Sequence, residues 1–231
     1  MAIIRSGAST DQLTIDPTSK AARVTRYDAA GRELYPKPTG AYMAPINIRN
    51  TAATAAGAAA VVIRGPAQAS PLLKMYIRNI RGTIGFDGTA LAASATLRMG
   101  LYRGQGVTTA SGGTAITAAN ITKKDSTFGS STILDYRYDA TGVGLTTTGI
   151  TFDADPIHVF SLSVIQLQVA VPTTSASAGP VMTFDLDYHT AARLGSNLVI
   201  GPDQHLALRL QTVAAVIGFG IYGSIAWEER V

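Results

Sequence analysis

The sequence contains no cysteine and only three histidines, and charged residues fill 15% of its 231 positions. That fraction is well below the roughly 25% of typical soluble domains. Without cysteine the chain forms no disulfide and offers no thiolate to a metal ion. Few nucleophiles, general bases or soft metal ligands remain. We therefore expect no enzymatic activity, no catalytic or metal-binding residues and no cofactor.

Long apolar runs are also missing. The longest stretches of low charge, residues 51–63 and 213–227, are shorter than the roughly 18–20 residues that span a bilayer. The first five residues are too few for the apolar region of a signal peptide. The sequence therefore predicts no membrane contact.

Small uncharged residues are abundant, including 23 glycines, and the uncharged surface that they imply predicts a homo-oligomer. The charge is uneven. Residues 1–110 carry 13 basic and 5 acidic side chains, whereas residues 111–231 carry 6 and 10. This split suits an acidic partner for the first half, or head-to-tail contacts between copies. Nucleic acid is not the expected partner, because the basic residues occur singly and lack interleaved aromatics.

Apolar and polar residues alternate from residue 71 onward, as they do in half-buried strands. Leu73, Met75 and Ile77 share one face of such a strand. Many strands separated by polar turns, with hardly any amphipathic helix, predict an all-β fold, an antiparallel β-sandwich of jelly-roll type. In the final strand, one face is predicted to carry Ile217, Phe219, Ile221, Ile225 and Trp227.

The first forty residues differ from the rest. They contain one short predicted strand, residues 23–27, between turn signals, and a proline-rich linker at 36–40. We interpret residues 1–40 as an extended N-terminal arm and residues 41–231 as the β-sandwich domain. Arginine and tyrosine are favoured at interfaces, although a solvated hairpin is the alternative. The predicted partner-binding residues are Ile4, Arg5, Arg23, Arg26, Tyr27, Arg32 and Tyr35.

One cluster of polar residues has side chains that could bind a metal ion. Asp185, Asp187 and His189 alternate along a predicted strand, and together they offer oxygen and nitrogen ligands to a divalent ion. A divalent site usually has more ligands, and the intervening residues are apolar, so we interpret the three as a solvent-facing strand face. The sequence does not decide whether these three residues bind an ion.

Other motifs are interpreted as structural. Residues 218–223 match the letters of a dinucleotide fingerprint, but only eight residues follow, too few for the required helix. Asp153 and Asp155 are assigned to a turn, and His158 and His205 to strand starts without a positioned partner. The Gly/Thr/Ser-rich segment 104–131 is too long for a hairpin loop and predicts a functional or neighbour-contacting loop.

Two stretches resemble known proteins. Residues 4–25, IRSGASTDQLTIDPTSKAARVT, resemble the N-terminal segment of structural proteins from tailed bacteriophage virions. Residues 198–209, LVIGPDQHLALR, and the closing IAWEE of residues 225–229 are similar to β-sandwich proteins of the same virions. The resemblance implies a virion component. Decoration (cement) proteins of the capsid are commonly small all-β oligomers, often trimers.

Three hypotheses about function follow, in order of preference. In the first, the arm binds the major capsid protein and the sandwich forms a homo-oligomer, expected to be a trimer, on the capsid surface. In the second, the chain is a tail or neck adaptor, fibre or receptor-binding protein that binds another virion protein. The third, an enzyme or sugar-binding domain, rests on Asp185, Asp187 and His189 alone.

Overall fold

The computed structural model describes residues 3–5, 12–15, 22–25, 38–50, 55–67, 73–86, 95–139, 144–164, 181–188, 198–211 and 219–230. The chain divides into two compact units, Met1–Pro38 and Thr39–Arg230. Strands supply nearly all the regular structure of these residues, with one 3₁₀ turn at Ala118–Asn120. Within the same ranges, no helix is long and apolar enough to cross a membrane.

Sixteen strands occur in the described ranges. They are β1 (Ile3–Arg5), β2 (Gln12–Ile15), β3 (Ala22–Thr25), β4 (Pro38–Asn50), β5 (Ala59–Pro66), β6 (Lys74–Phe86), β7 (Ala95–Gln105), β8 (Thr114–Ala115), β9 (Thr122–Lys123), β10 (Ile133–Tyr138), β11 (Thr151–Phe152), β12 (His158–Val164), β13 (Val181–Asp187), β14 (Leu198–Ile200), β15 (Gln204–Leu210) and β16 (Phe219–Arg230).

The N-terminal unit contains a three-stranded antiparallel sheet in the order β1-β2-β3. Its register places Ile4 opposite Leu13 and Leu13 opposite Val24. The sequence predicted one strand here, and the described residues of this unit form three. The two additional strands are three and four residues long, too short for alternation to be recognised. The linker expected at 36–40 also ends earlier, because β4 begins at Pro38.

The second unit is a sandwich of two antiparallel sheets. One sheet has six strands in the order β13-β6-β16-β4-β9, with β14 also paired to β6. The other has seven strands in the order β11-β7-β15-β5-β10-β8, with β12 also paired to β7.

The eight principal strands pair as a rolled-up hairpin. In chain order these are β4, β5, β6, β7, β12, β13, β15 and β16. The first pairs with the last and the second with the seventh. The third pairs with the sixth and the fourth with the fifth. This arrangement is a jelly roll, and the predicted all-β sandwich is confirmed.

The core lies between the two sheets. Trp227, the only tryptophan, is fully buried, and its ring centroid lies 5.8 Å from that of Tyr42. Each large side chain buried in this way contributes about 1.5–3 kcal/mol. Phe219, Ile221, Ile225 and Trp227 are all buried, as the alternation in the final strand predicts. Other core residues include Ile46, Ile48, Met75, Ile77, Ile84, Ile63, Leu97, Met99, Leu206 and Leu210.

The segment between β7 and β12 wraps around its own sandwich. Its strand β10 extends the seven-stranded sheet beyond β5, and β9 pairs with β4 at the edge of the other sheet. It also contributes to a second, small apolar cluster that includes Ala59, Val62, Ala110, Leu145, Ile150 and Ala207. The predicted excursion therefore includes strands that cover sheet edges.

Candidate functional site

The outer face of the six-stranded sheet carries the polar residues that the sequence singled out. There β13, β6 and β16 lie side by side, so residues distant in the chain become neighbours. Asp185 lies opposite Arg81, and Arg81 lies opposite Ser224. In the next row, Thr183 lies opposite Thr83, and Thr83 lies opposite Tyr222.

Asp185 and Asp187 are exposed on this face, whereas Phe184 and Leu186 are half-buried against the core. The Asn79 side-chain amide donates a hydrogen bond to Asp185 Oδ1. His189, the third member of the predicted cluster, lies outside the described residues. Within the described ranges, no group of three or more His, Cys, Asp or Glu side chains is placed to hold a metal ion.

A shallow depression lies on this face. Its volume is about 450 Å³, and its lining residues are Arg81, Gly82, Thr83, Thr183, Phe184, Asp185, Gly223 and Ser224. Volumes of about 300–1,000 Å³ are usual for small-molecule sites. Arg81 is exposed, and its side chain makes no hydrogen bond or ion pair with any described residue. The depression thus places a guanidinium beside a carboxylate and three hydroxyl groups.

Tyr222 borders this depression, and its ring lies over Gly220. A Cβ at Gly220 would lie 2.5 Å from the ring, so only glycine leaves room for it. The same arrangement recurs in Gly100 with Tyr102 and in Gly40 with Tyr42, where tyrosine covers a glycine two residues earlier on its strand. Tyr42 is buried and Tyr102 half-buried, whereas Tyr222 is 50% exposed.

An ion-pair cluster lies near the end of β16. Glu228 Oε2 accepts from Arg78 at 2.7 Å and from Arg230 at 2.6 Å. Burial opposes ionisation of Glu228, but the hydrogen bonds from the two arginines outweigh it and lower the pKa. Arg230 also lies over the Tyr76 ring, 5.4 Å from its centroid. Because its charges are paired with one another, the cluster fits a structural role.

Glu229, the next residue, is buried and was not identified from the sequence. Its carboxylate accepts from the Thr132 N–H at 3.0 Å and the Thr132 hydroxyl at 2.6 Å. It also accepts from the Ser131 hydroxyl at 2.5 Å and the Trp227 indole at 3.3 Å. Nearby, Tyr42 donates to the Gly129 carbonyl. These hydrogen bonds hold residues 129–132 against the core. The only sequence signal was an acidic residue at an inward position of β16.

His205 is fully buried, on the outer face of the seven-stranded sheet. Its Nε2 lies 2.9 Å from the Thr108 carbonyl, which can only accept, so the proton is on Nε2. Nδ1 has no partner among the described residues. Burial lowers the His205 pKa, and the charge of Arg64 lowers it further. Arg64 itself pairs with Asp203 at 3.0 Å.

The predicted partner-binding residues are only partly described. Ile4 and Arg5 lie in β1 and Arg23 lies in β3, on either side of β2. Arg26, Tyr27, Arg32 and Tyr35 lie outside the described residues.

The remaining motifs fall on strands and turns. Asp153 and Asp155 are exposed next to a bend, and His158 is exposed with its ring 4.8 Å from that of Phe160. The described part of the dinucleotide-like motif, residues 219–223, is strand. That motif therefore opens no helix here.

The chain has no detectable relative by three comparisons. No protein-family model matches it, and no curated protein or solved structure matches it significantly.

Proposed function

We propose that the chain is a non-enzymatic structural component of a bacteriophage virion. Within that class we propose a capsid decoration protein, which binds the lattice of the major capsid protein as a homo-oligomer, most simply a trimer. The sandwich would clamp neighbouring capsid subunits and add interface area against the internal pressure of the packaged DNA.

The observation that carries the proposal is the coincidence between the resemblance and the structural units. Residues 4–25 resemble the N-terminal segment of virion proteins, and they fall entirely within the Met1–Pro38 unit. Residues 198–209 and 225–229 fall in β14, the turn that follows it, β15 and β16, all of which belong to the sandwich. A small N-terminal unit joined to a β-sandwich suits a protein that attaches by one part and is displayed by the other.

The construction of the sandwich also suits a permanent structural role. The long segment between β7 and β12 is held by two sheet edges, by a second apolar cluster and by the buried Glu229 carboxylate. Jelly rolls occur in viral capsid proteins, but also in lectins and cupins, so the fold alone does not decide the function.

Binding to particles tests the proposal directly. The purified chain would be mixed with virions that lack it, and the bound fraction would be measured by co-sedimentation. We expect saturable binding by the full chain and none by a variant without residues 1–37, which leaves β4 whole. The truncated variant is expected to keep the thermal midpoint of the sandwich. Retained binding by that variant would refute a role for the N-terminal unit in attachment.

The second candidate is a tail or neck adaptor, fibre or receptor-binding protein. It uses the same two-part construction, and it differs in copy number and position on the particle. Saturation at a few copies per virion would favour this candidate, whereas saturation at hundreds of copies would favour capsid decoration.

A further inference from the structure

We propose that the outer face of the six-stranded sheet is an oligosaccharide-binding site, in which Tyr222 supports one sugar ring and the adjoining depression holds the next. This inference goes beyond the proposed virion role and does not depend on it.

The Tyr222 ring is suited to stacking because of how it is supported. The ring packs against the backbone of Gly220, where a side chain would displace it, and half of the Tyr222 surface is exposed to solvent. Sugar rings have a face of C–H groups that packs on aromatic rings, while their hydroxyls point outward. Tyrosine combines such an apolar body with a polar tip. The Tyr222 hydroxyl has no partner among the described residues.

The depression beside Tyr222 supplies the polar groups that a second sugar ring needs. Arg81 provides donors, and Asp185 provides acceptors, one of which already receives the Asn79 amide. Arg81 lies directly opposite Asp185, and its side chain has no partner among the described residues. The Thr83, Thr183 and Ser224 hydroxyls can both donate and accept.

A second protein copy fits this face less well. The large exposed apolar side chains on it are Tyr222 and Val181, among the described residues. A stable protein interface covers about 800 Å² on each partner and has an apolar centre. The depression next to Tyr222 instead has five polar side chains in its lining, those of Arg81, Thr83, Thr183, Asp185 and Ser224. A polyhydroxylated ligand can satisfy those groups, whereas an apolar interface centre would bury them without partners.

The test uses the full chain on an array of immobilised neutral and acidic oligosaccharides, followed by titration calorimetry with the best-bound one. We expect Tyr222→Ala to weaken binding about tenfold, because it removes the aromatic surface on which a sugar ring would stack. Tyr222→Trp should bind within about threefold of the original protein, because it keeps an aromatic platform. Arg81→Ala should also weaken binding.

The matched control is Arg98→Ala, which removes an exposed arginine from β7 in the other sheet and should leave binding unchanged. Urea unfolding would verify that each variant is folded. The proposal is overturned if the original chain retains no oligosaccharide, or if Tyr222→Ala binds as well as the original. It is also overturned if Tyr222→Ala changes the mass of the protein in solution, because the face would then be an interface between copies.

Discussion

Replacing Glu229 by glutamine tests whether the buried carboxylate fastens the long segment to the core. Its two oxygens accept four hydrogen bonds: one from the Ser131 hydroxyl, two from the N–H and hydroxyl of Thr132, and one from the Trp227 indole. Glutamine keeps one acceptor and turns the other oxygen into a donor. The hydroxyl of Thr132 or Ser131 that faces the new amide then has to accept from it, and all the bonds become neutral hydrogen bonds.

The size of the effect follows from these bonds. A hydrogen bond to a charged group contributes about 1.5–3 kcal/mol, against about 0.5–1.5 kcal/mol for a neutral one. Replacing these charged bonds by neutral ones gives an expected loss of about 3 kcal/mol in the free energy of unfolding. That is a large share of the about 5–15 kcal/mol by which typical domains are stable.

Urea unfolding measured by fluorescence is the assay, because Trp227 is the only tryptophan and is fully buried. We expect a lower midpoint with an unchanged slope. Asp155→Asn is the control, since Asp155 is exposed and its replacement should leave the midpoint unchanged. A loss below about 1 kcal/mol for Glu229→Gln, the value of one neutral bond, would refute the reasoning.

Two further predictions concern pH and strand packing. His205 has a lowered pKa in the folded protein, so protonation favours unfolding, and stability should fall as pH drops below about 6.5. Midpoints measured at pH 5.5 and 7.5 should differ less in His205→Gln, and an equal difference would contradict the prediction. Gly223→Ala should cost about 2 kcal/mol, because its Cβ would overlap the Arg81 carbonyl oxygen. Gly85→Ala is the control, since its Cβ would make an ordinary 3.5 Å contact, and equal losses by urea unfolding would refute the packing argument.

The fold class could be predicted because half-buried strands alternate with a period of two. β6, β13 and β16 occur where that alternation placed strands. β4 was missed, although Tyr42, Ala44, Ile46 and Ile48 alternate along it, because Pro45 interrupts the pattern. Pro45 lies beyond the residues that pair with β9, so its missing N–H costs no ladder hydrogen bond there. Its carbonyl instead accepts from the Tyr136 hydroxyl at 2.6 Å.

The candidate site could be predicted only in part. Spacing alone placed Asp185 and Asp187 on one exposed strand face. Arg81 and Tyr222 reach the same face from strands about 100 residues before and 40 residues after, through a register that no local pattern reveals. Glu229 escaped notice because its partners Ser131 and Thr132 come from a loop that resembled surface sequence.

The most direct test of the virion proposal is to locate the protein on purified particles. An antibody raised against residues 71–231 would be bound to virions and seen by electron microscopy. We expect label distributed over the whole head. Label confined to the tail or to one vertex would contradict capsid decoration in favour of the adaptor or fibre, and particles without label would contradict a virion role altogether.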